Sequence, residues 1–278
     1  MGELANSPED GREAMPFVAP CRQLGPGAPF VWLKEGWADF RAAPGLSLAY
    51  GMFTVLLSWL ASFVAFQWGS YWLLLAALSG FVFVAPVLCL GLYAISAQLE
   101  RGKAPRQRTS FREAGVRRLG AEMVFALILL VIFMVWARAG SMVHVFFPME
   151  SNPDLADLAT YLGVGSSVGA IFAAITFAAS AFSLPMIMHR DVDAVTGVVT
   201  SINAVLRNKL AMLVWVLLII ALLLLALATG FLGLAIVIPV LGYATWHSYL
   251  HTIDADVFPR HREGVTATPR PERQEFDI

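Results

Sequence analysis

His247, His251 and Asp254 stand at i, i+4 and i+7, which puts them on one face of a helix. Two imidazoles and a carboxylate in that pattern are donors that suit a divalent metal ion. His189, Arg190, Asp191 and Asp193 form a second ionisable cluster at the end of another apolar run. If the clusters meet, His189 joins the metal candidates, and Arg190, Asp191 and Asp193 become candidate ligand contacts. The same residues also serve ordinary helix ends. A cation favours the negative end of the helix dipole, and an aspartate before a helix accepts from its free N–H groups. The capping role is preferred here, so no catalytic residue is assigned and no cofactor is expected.

The elements that carry these clusters are apolar. Of the 278 residues, 58 % are hydrophobic and 14 % charged, against about half and a quarter in soluble domains. From Ala42 to Leu99 no residue is charged, and Leu158 to Met188 and Leu210 to Trp246 are likewise uncharged. A helix crosses a bilayer core with about 20 residues. The first run would extend nearly 90 Å at about 1.5 Å per residue, so it must turn, and Gln67-Trp68-Gly69-Ser70 is its turn-like break. Thr229-Gly230 divides the last run in the same way. The expected fold is all-α, a six-helix transmembrane bundle over 30–254. Its spans lie at about 47–66, 71–97, 119–146, 160–188, 210–228 and 231–250. Residues 1–29 and 255–278 are expected as disordered tails.

Charge placement orients the bundle. Lys34 and Arg41 precede the first span, and Arg101, Lys103, Arg106, Arg108, Arg112, Arg117 and Arg118 follow the second. Arg190, Arg207 and Lys209 lie between the fourth and fifth, and Arg260, Arg262, Arg270 and Arg273 follow the sixth. The three opposite loops hold no Lys or Arg. Both termini are therefore expected in the cytoplasm of a bacterial inner membrane. The net charge of −1 sums these opposed segments and gives no reason to expect nucleic acid. Cys21 and Cys89 have no metal or disulfide spacing.

Each pair of spans is preceded by an amphipathic segment. These carry Leu33, Trp37 and Phe40; Phe111, Val116 and Leu119 after a Ser110/Glu113 capping box; and Val195, Val198, Ile202 and Val205 with Asp191 or Asp193 as N-cap. Pro86, Pro185 and Pro239 recur in the second helix of each pair, which suggests three tandem helix-hairpin repeats. Proline kinks at matching depths would open a cytoplasmic vestibule. Its lining candidates are Tyr93, Arg190, Asp191, Asp193, Asn203, Tyr243 and His247. Gly165, Gly169 and Ala173 form a small-residue stripe that suits helix packing. Arg138 and His144 are the ionisable groups in the outer apolar half, and Arg138 is expected to snorkel outwards.

GlyTrpAlaAspPhe at 36–40, ProGlyLeuSerLeuAlaTyrGly at 44–51 and AlaProValLeuCysLeuGlyLeuTyr at 85–93 carry a resemblance, with HisArgAspValAspAlaValThr at 189–196 and ProValLeuGlyTyrAlaThrTrpHisSerTyr at 239–249. Over about Trp32 to Tyr249 the chain resembles a bacterial family of integral membrane proteins classed as a domain of unknown function. The resemblance implies a six-helix membrane domain and supplies no activity. Some members are labelled as cytochrome c oxidase subunits.

Three function classes follow. The leading expectation is a non-enzymatic protein that binds or helps assemble a partner, or modulates the envelope, with the bilayer, other membrane proteins or a second copy of itself as partners. The alternatives are a transporter or small-ligand binder built on the vestibule, and a metal- or haem-linked oxidase accessory built on the His247/His251 face.

Overall fold

The computed structural model describes residues 16–69, 89–102, 105, 119–146 and 154–260. Every regular element among them is helical: α1 (Ala28–Ala42), α2 (Pro44–Trp68), α3 (89–100), α4 (Leu119–Phe146), α5 (Leu155–Ser180), α6 (Ser183–His189), α7 (Ala194–Arg207), α8 (Lys209–Ala228) and α9 (Leu234–Thr252). Local chemistry sets several boundaries. Pro44 opens α2, where its missing N–H costs nothing. Asp154 caps α5 by accepting from the Asp157 N–H at 2.7 Å, and Asp193, the second of the two N-cap candidates, caps α7 through the Thr196 N–H at 2.9 Å. Gly230 at φ 64° and Phe231 at φ 72° make the tight return from α8 to α9, at the Thr229-Gly230 turn read from the sequence.

Four stretches are long and apolar enough to cross a membrane: Pro44–Val64, Gly120–Val143, Leu155–His189 and Lys209–Ala228. Leu127, Val131, Leu213, Leu217 and Leu224 point away from the protein, as lipid-facing side chains do. The expected second span falls partly on 70–88, outside the described residues, as do Pro86 and the Ser110/Glu113 segment. The stretch through Pro185 is interrupted rather than kinked. α5 ends at Ser180 and α6 begins at Ser183, so Pro185 sits in a first turn that needs no N–H.

The centre of the fold is α9. Pro239 lies inside it, and its buried face runs from Leu234 through Tyr243, Trp246 and Tyr249 to Thr252. α1 and α2 close on it through glycines. A Cβ on Gly36 would lie 2.6 Å from the Val240 carbonyl oxygen, and one on Gly51 would lie 2.0 Å from that of Ala235. Contact this close tolerates only hydrogen at the crossing point.

Two amphipathic readings need correction. In α1 the buried positions are Pro29, Trp32, Gly36 and Phe40, while Trp37 is exposed and stacks on Phe40 with ring centroids 5.3 Å apart. In α7 the buried face is Ala194, Gly197, Thr200, Ser201 and Ala204, and Val195 is exposed. In α7 close packing selects the small residues and leaves the larger apolar ones at the margin, whereas in α1 Phe40 is buried as expected and Trp32, not Trp37, is the covered tryptophan. Residues 16–27, part of the expected disordered tail, run extended along the bundle. Ala19 N–H donates to Thr200 Oγ1 at 3.2 Å, Arg22 N–H to the Thr252 carbonyl at 2.8 Å and Leu24 N–H to Asn208 Oδ1 at 2.8 Å.

Candidate functional site

The polar side chains gather at the end of the bundle opposite the Gly230 turn, and they form two groups. In the first, α9 presents His247 to the acidic face of α1. His247 Nε2 donates to Asp39 Oδ2 at 2.9 Å, and its Nδ1 lies 3.6 Å from Glu35 Oε2. His251 Nε2 is 3.5 Å from the same Glu35 oxygen. Ser96 of α3 also donates to Asp39 Oδ2. Glu35 and Asp39 are four apart on α1, as His247 and His251 are on α9, so the pairs meet turn against turn across the Gly36 contact.

The second group lines a cavity of about 270 Å³. Arg22 enters from the extended segment, Glu100 and Arg101 from the end of α3, and His189 and Arg190 from the end of α6. Trp246 and Tyr249 come from α9, and Asp254, Asp256 and Arg260 from the chain beyond it. Arg190 is buried; it donates to the Phe258 carbonyl at 3.0 Å and pairs with Asp256. The hydrogen bond and charge of Arg190 hold the Asp256 carboxyl below its ordinary value. His189 Nδ1 and the Tyr249 hydroxyl share a hydrogen bond of 2.9 Å, and Trp246 Nε1 donates to Glu100 at 3.3 Å.

A larger apolar cavity, about 790 Å³, lies deeper between α3, α4, α5, α6, α8 and α9. Cys89, Tyr93, Phe133, Phe172, Trp215 and Thr245 are among its walls. Tyr93 stacks on Trp246 with centroids 6.4 Å apart, placing an aromatic pair between the two cavities.

The metal candidates are divided by this arrangement. His247 and His251 face Glu35 and Asp39, whereas His189 and Asp254 line the polar cavity. Among the described residues no group of three or more His, Cys, Asp or Glu side chains is arranged to hold a metal ion. The vestibule candidates separate too. Arg190 lines the polar cavity and Tyr93 the apolar one. Tyr243 is buried on Ser47 at 2.7 Å, Asn203 accepts from Arg207 at 3.2 Å, Asp191 N–H donates to the Pro259 carbonyl at 2.9 Å, and Asp193 is the cap of α7. A Cβ added at Gly165 or Gly169 would meet no atom of the described residues within 4 Å, and Gly169 and Ala173 line the apolar cavity. Sequence reasoning missed Glu35, Asp39 and Ser96, and it missed Arg22, Glu100, Trp246 and Tyr249. The 35/39 acidic spacing matching the 247/251 imidazole spacing was the available signal for the first group.

A family model described as a predicted integral membrane protein (DUF2189) matches residues 73–189. That is a narrower stretch than the resemblance drawn from 32 to 249. No curated protein and no solved structure matches the chain.

Proposed function

We propose that this integral membrane protein is a non-enzymatic small-ligand binder of the bacterial inner membrane, with the polar cavity as its ligand site. The observation that carries this reading is the cavity itself. Segments from five parts of the chain converge on about 270 Å³ of space walled by charged and hydrogen-bonding side chains. Small-molecule sites are concavities in which a few polar groups are held by a rigid scaffold, and α3, α6 and α9 supply that scaffold here. The partner-binding reading rests on the lack of catalytic motifs, the Gly165/Gly169/Ala173 stripe and the basic interface helices; Gly169 and Ala173 of that stripe also line the apolar cavity.

Six spans and cytoplasmic termini belong to the same proposal. The four apolar stretches are joined by 71–97 and by α9. The polar half of α9 is enclosed by protein, so it has no need to be apolar. Positive-inside placement then puts the polar cavity on the cytoplasmic side.

Leu250 lines the cavity, so the test uses Leu250→Cys in a Cys21→Ser, Cys89→Ala background. A small water-soluble thiol reagent should react there from the cytoplasmic face, and Thr229→Cys should react only from the opposite face. Native mass spectrometry of the gently extracted protein should show a bound small molecule that is displaced once Leu250→Cys carries a bulky adduct. An unreactive Leu250→Cys with no bound molecule would overturn the reading.

A further inference from the structure

We infer that the polar cavity recognises a phosphate group, an inference that rests on the ligand-binding reading above. Four cations line it, Arg22, Arg101, Arg190 and Arg260, and all four are arginine. Guanidinium presents a planar fork that meets phosphate oxygens two at a time, whereas lysine offers a point charge. They arrive from separate segments: the extended chain before α1, the residue after α3, the residue after α6, and the strand-like end that bridges Arg260 to Arg190. A solvated charge run would not converge in this way.

The local charge balance leaves room for an anion. Arg190 and Asp256 satisfy one another. That leaves Arg22, Arg101 and Arg260 against Glu100 and Asp254, three cations to two carboxylates. None of these three arginines forms an ion pair among the described residues. The Tyr249 hydroxyl and the His189 ring supply neutral polar groups in the same wall. At about 30 Å³ per water, the space corresponds to roughly nine waters, room for a phosphate with an ester substituent.

A phosphate here has two sources, a lipid headgroup and a soluble phosphate. The helices that carry the polar walls also carry apolar ones about one turn deeper. Tyr93 precedes Ala97 on α3, Leu184 precedes His189 on α6, and Thr245 precedes Tyr249 on α9. Basic pockets between membrane helices at headgroup level commonly hold anionic lipid heads.

The test uses the full chain in a phosphate-free maltoside detergent and reads the thermal midpoint and binding isotherm. Inorganic phosphate is compared with chloride at equal ionic strength, and phosphatidic acid with a fatty acid of the same chain length. Phosphate or phosphatidic acid should raise the midpoint while chloride and the fatty acid do not. An Arg22→Gln/Arg101→Gln/Arg260→Gln variant, altered at exposed positions, should bind at least tenfold more weakly. Phosphatidic acid acting alone identifies the lipid source, and an equal response to inorganic phosphate identifies the soluble one. Equal effects of chloride, or undiminished binding by the triple variant, would overturn the inference. If a different molecule is displaced by the Leu250→Cys adduct while neither phosphate binds, the ligand-binding reading stands and only its phosphate identity fails.

Discussion

Gly51 and Gly45 lie on the same helix, six residues apart, and alanine should have opposite effects at the two. At Gly51 the added carbon would sit 2.0 Å from the Ala235 carbonyl oxygen, with the carbonyl carbon and Cα of that residue at 2.5 and 2.6 Å. All three are backbone atoms, so no side chain can rotate away. An ordinary carbon–oxygen contact is about 3.5 Å, so α2 and α9 must separate by more than about 1 Å. Forced overpacking of this kind costs about 1–3 kcal/mol. Against it stands the gain from removing a helical glycine, about 1 kcal/mol at most. The net expectation for Gly51→Ala is a loss of about 1–2 kcal/mol, with further loss as Trp59 is drawn from its 2.9 Å hydrogen bond to the Gly230 carbonyl. At Gly45 no atom of the described residues lies within 4 Å of the new carbon, so Gly45→Ala should be neutral or stabilising by up to about 1 kcal/mol. Reversible unfolding in mixed micelles, followed by circular dichroism, measures both. Equal stabilities for the two variants would refute the claim that α2 and α9 are in backbone contact at Gly51.

Asp39→Asn and His247→Gln should be non-additive by about 1–3 kcal/mol in a double-mutant cycle, since each alone removes the shared 2.9 Å contact from a largely buried partner; additive single effects would refute the pairing. Asn208→Ala removes bonds to Leu24 N–H, the Arg22 carbonyl and the Ala204 carbonyl. It should cost about 2 kcal/mol and accelerate proteolysis within 16–27 before the helices are cut, whereas unchanged cleavage would speak against the anchoring. Because the Asp256 carboxyl is held below its ordinary 3.8 by Arg190, its stabilising contribution is complete above that pH and is lost as pH falls through the lower folded value. Hydrogen exchange of Asp191 N–H, bonded to the Pro259 carbonyl, should keep its protection from neutrality down to about pH 5 and lose it only below about pH 4. Loss of protection already above pH 5 would contradict that linkage.

The membrane class and the helix ends governed by local chemistry were legible in the sequence. Asp193 and Thr196 are three residues apart, and Gly230 is where the chain must reverse, so neither depends on distant contacts. The buried faces of α1 and α7 were only partly legible: Phe40 is covered as its spacing suggested, but apolar periodicity does not say which tryptophan a neighbouring helix covers, nor that close contact in α7 selects Gly197, Ser201 and Ala204. Trp37 is as apolar as Trp32, and the positions of the neighbouring helices, with Trp215 of α8 edge-on to Trp32, decide which is covered. Glu35 and Asp39 looked like solvated charges because their imidazole partner lies 208 residues away in the case of Asp39. The arginine cavity was hidden for a related reason. Arg22 and Arg260 stand in terminal segments whose composition resembles disordered tails, and backbone hydrogen bonds to α9 and to the end of α6, not side-chain patterning, hold those segments in place.

The distance along the chain between α1 and α9 sets an order of assembly. Ribosomes add about 5–20 residues per second, so the 208 residues from Asp39 to His247 take roughly 10–40 s to make. During that interval Gly36 lacks the α9 backbone it packs against, and Glu35 and Asp39 have no imidazole. α9 is the last long helix to be synthesised among those described, and its polar half offers little to lipid until α1 receives it. The first and last of these helices thus complete each other, and a nascent chain arrested before residue 234 would present the Gly36 face of α1, with Glu35 and Asp39 lacking their imidazole partners, to quality-control proteases.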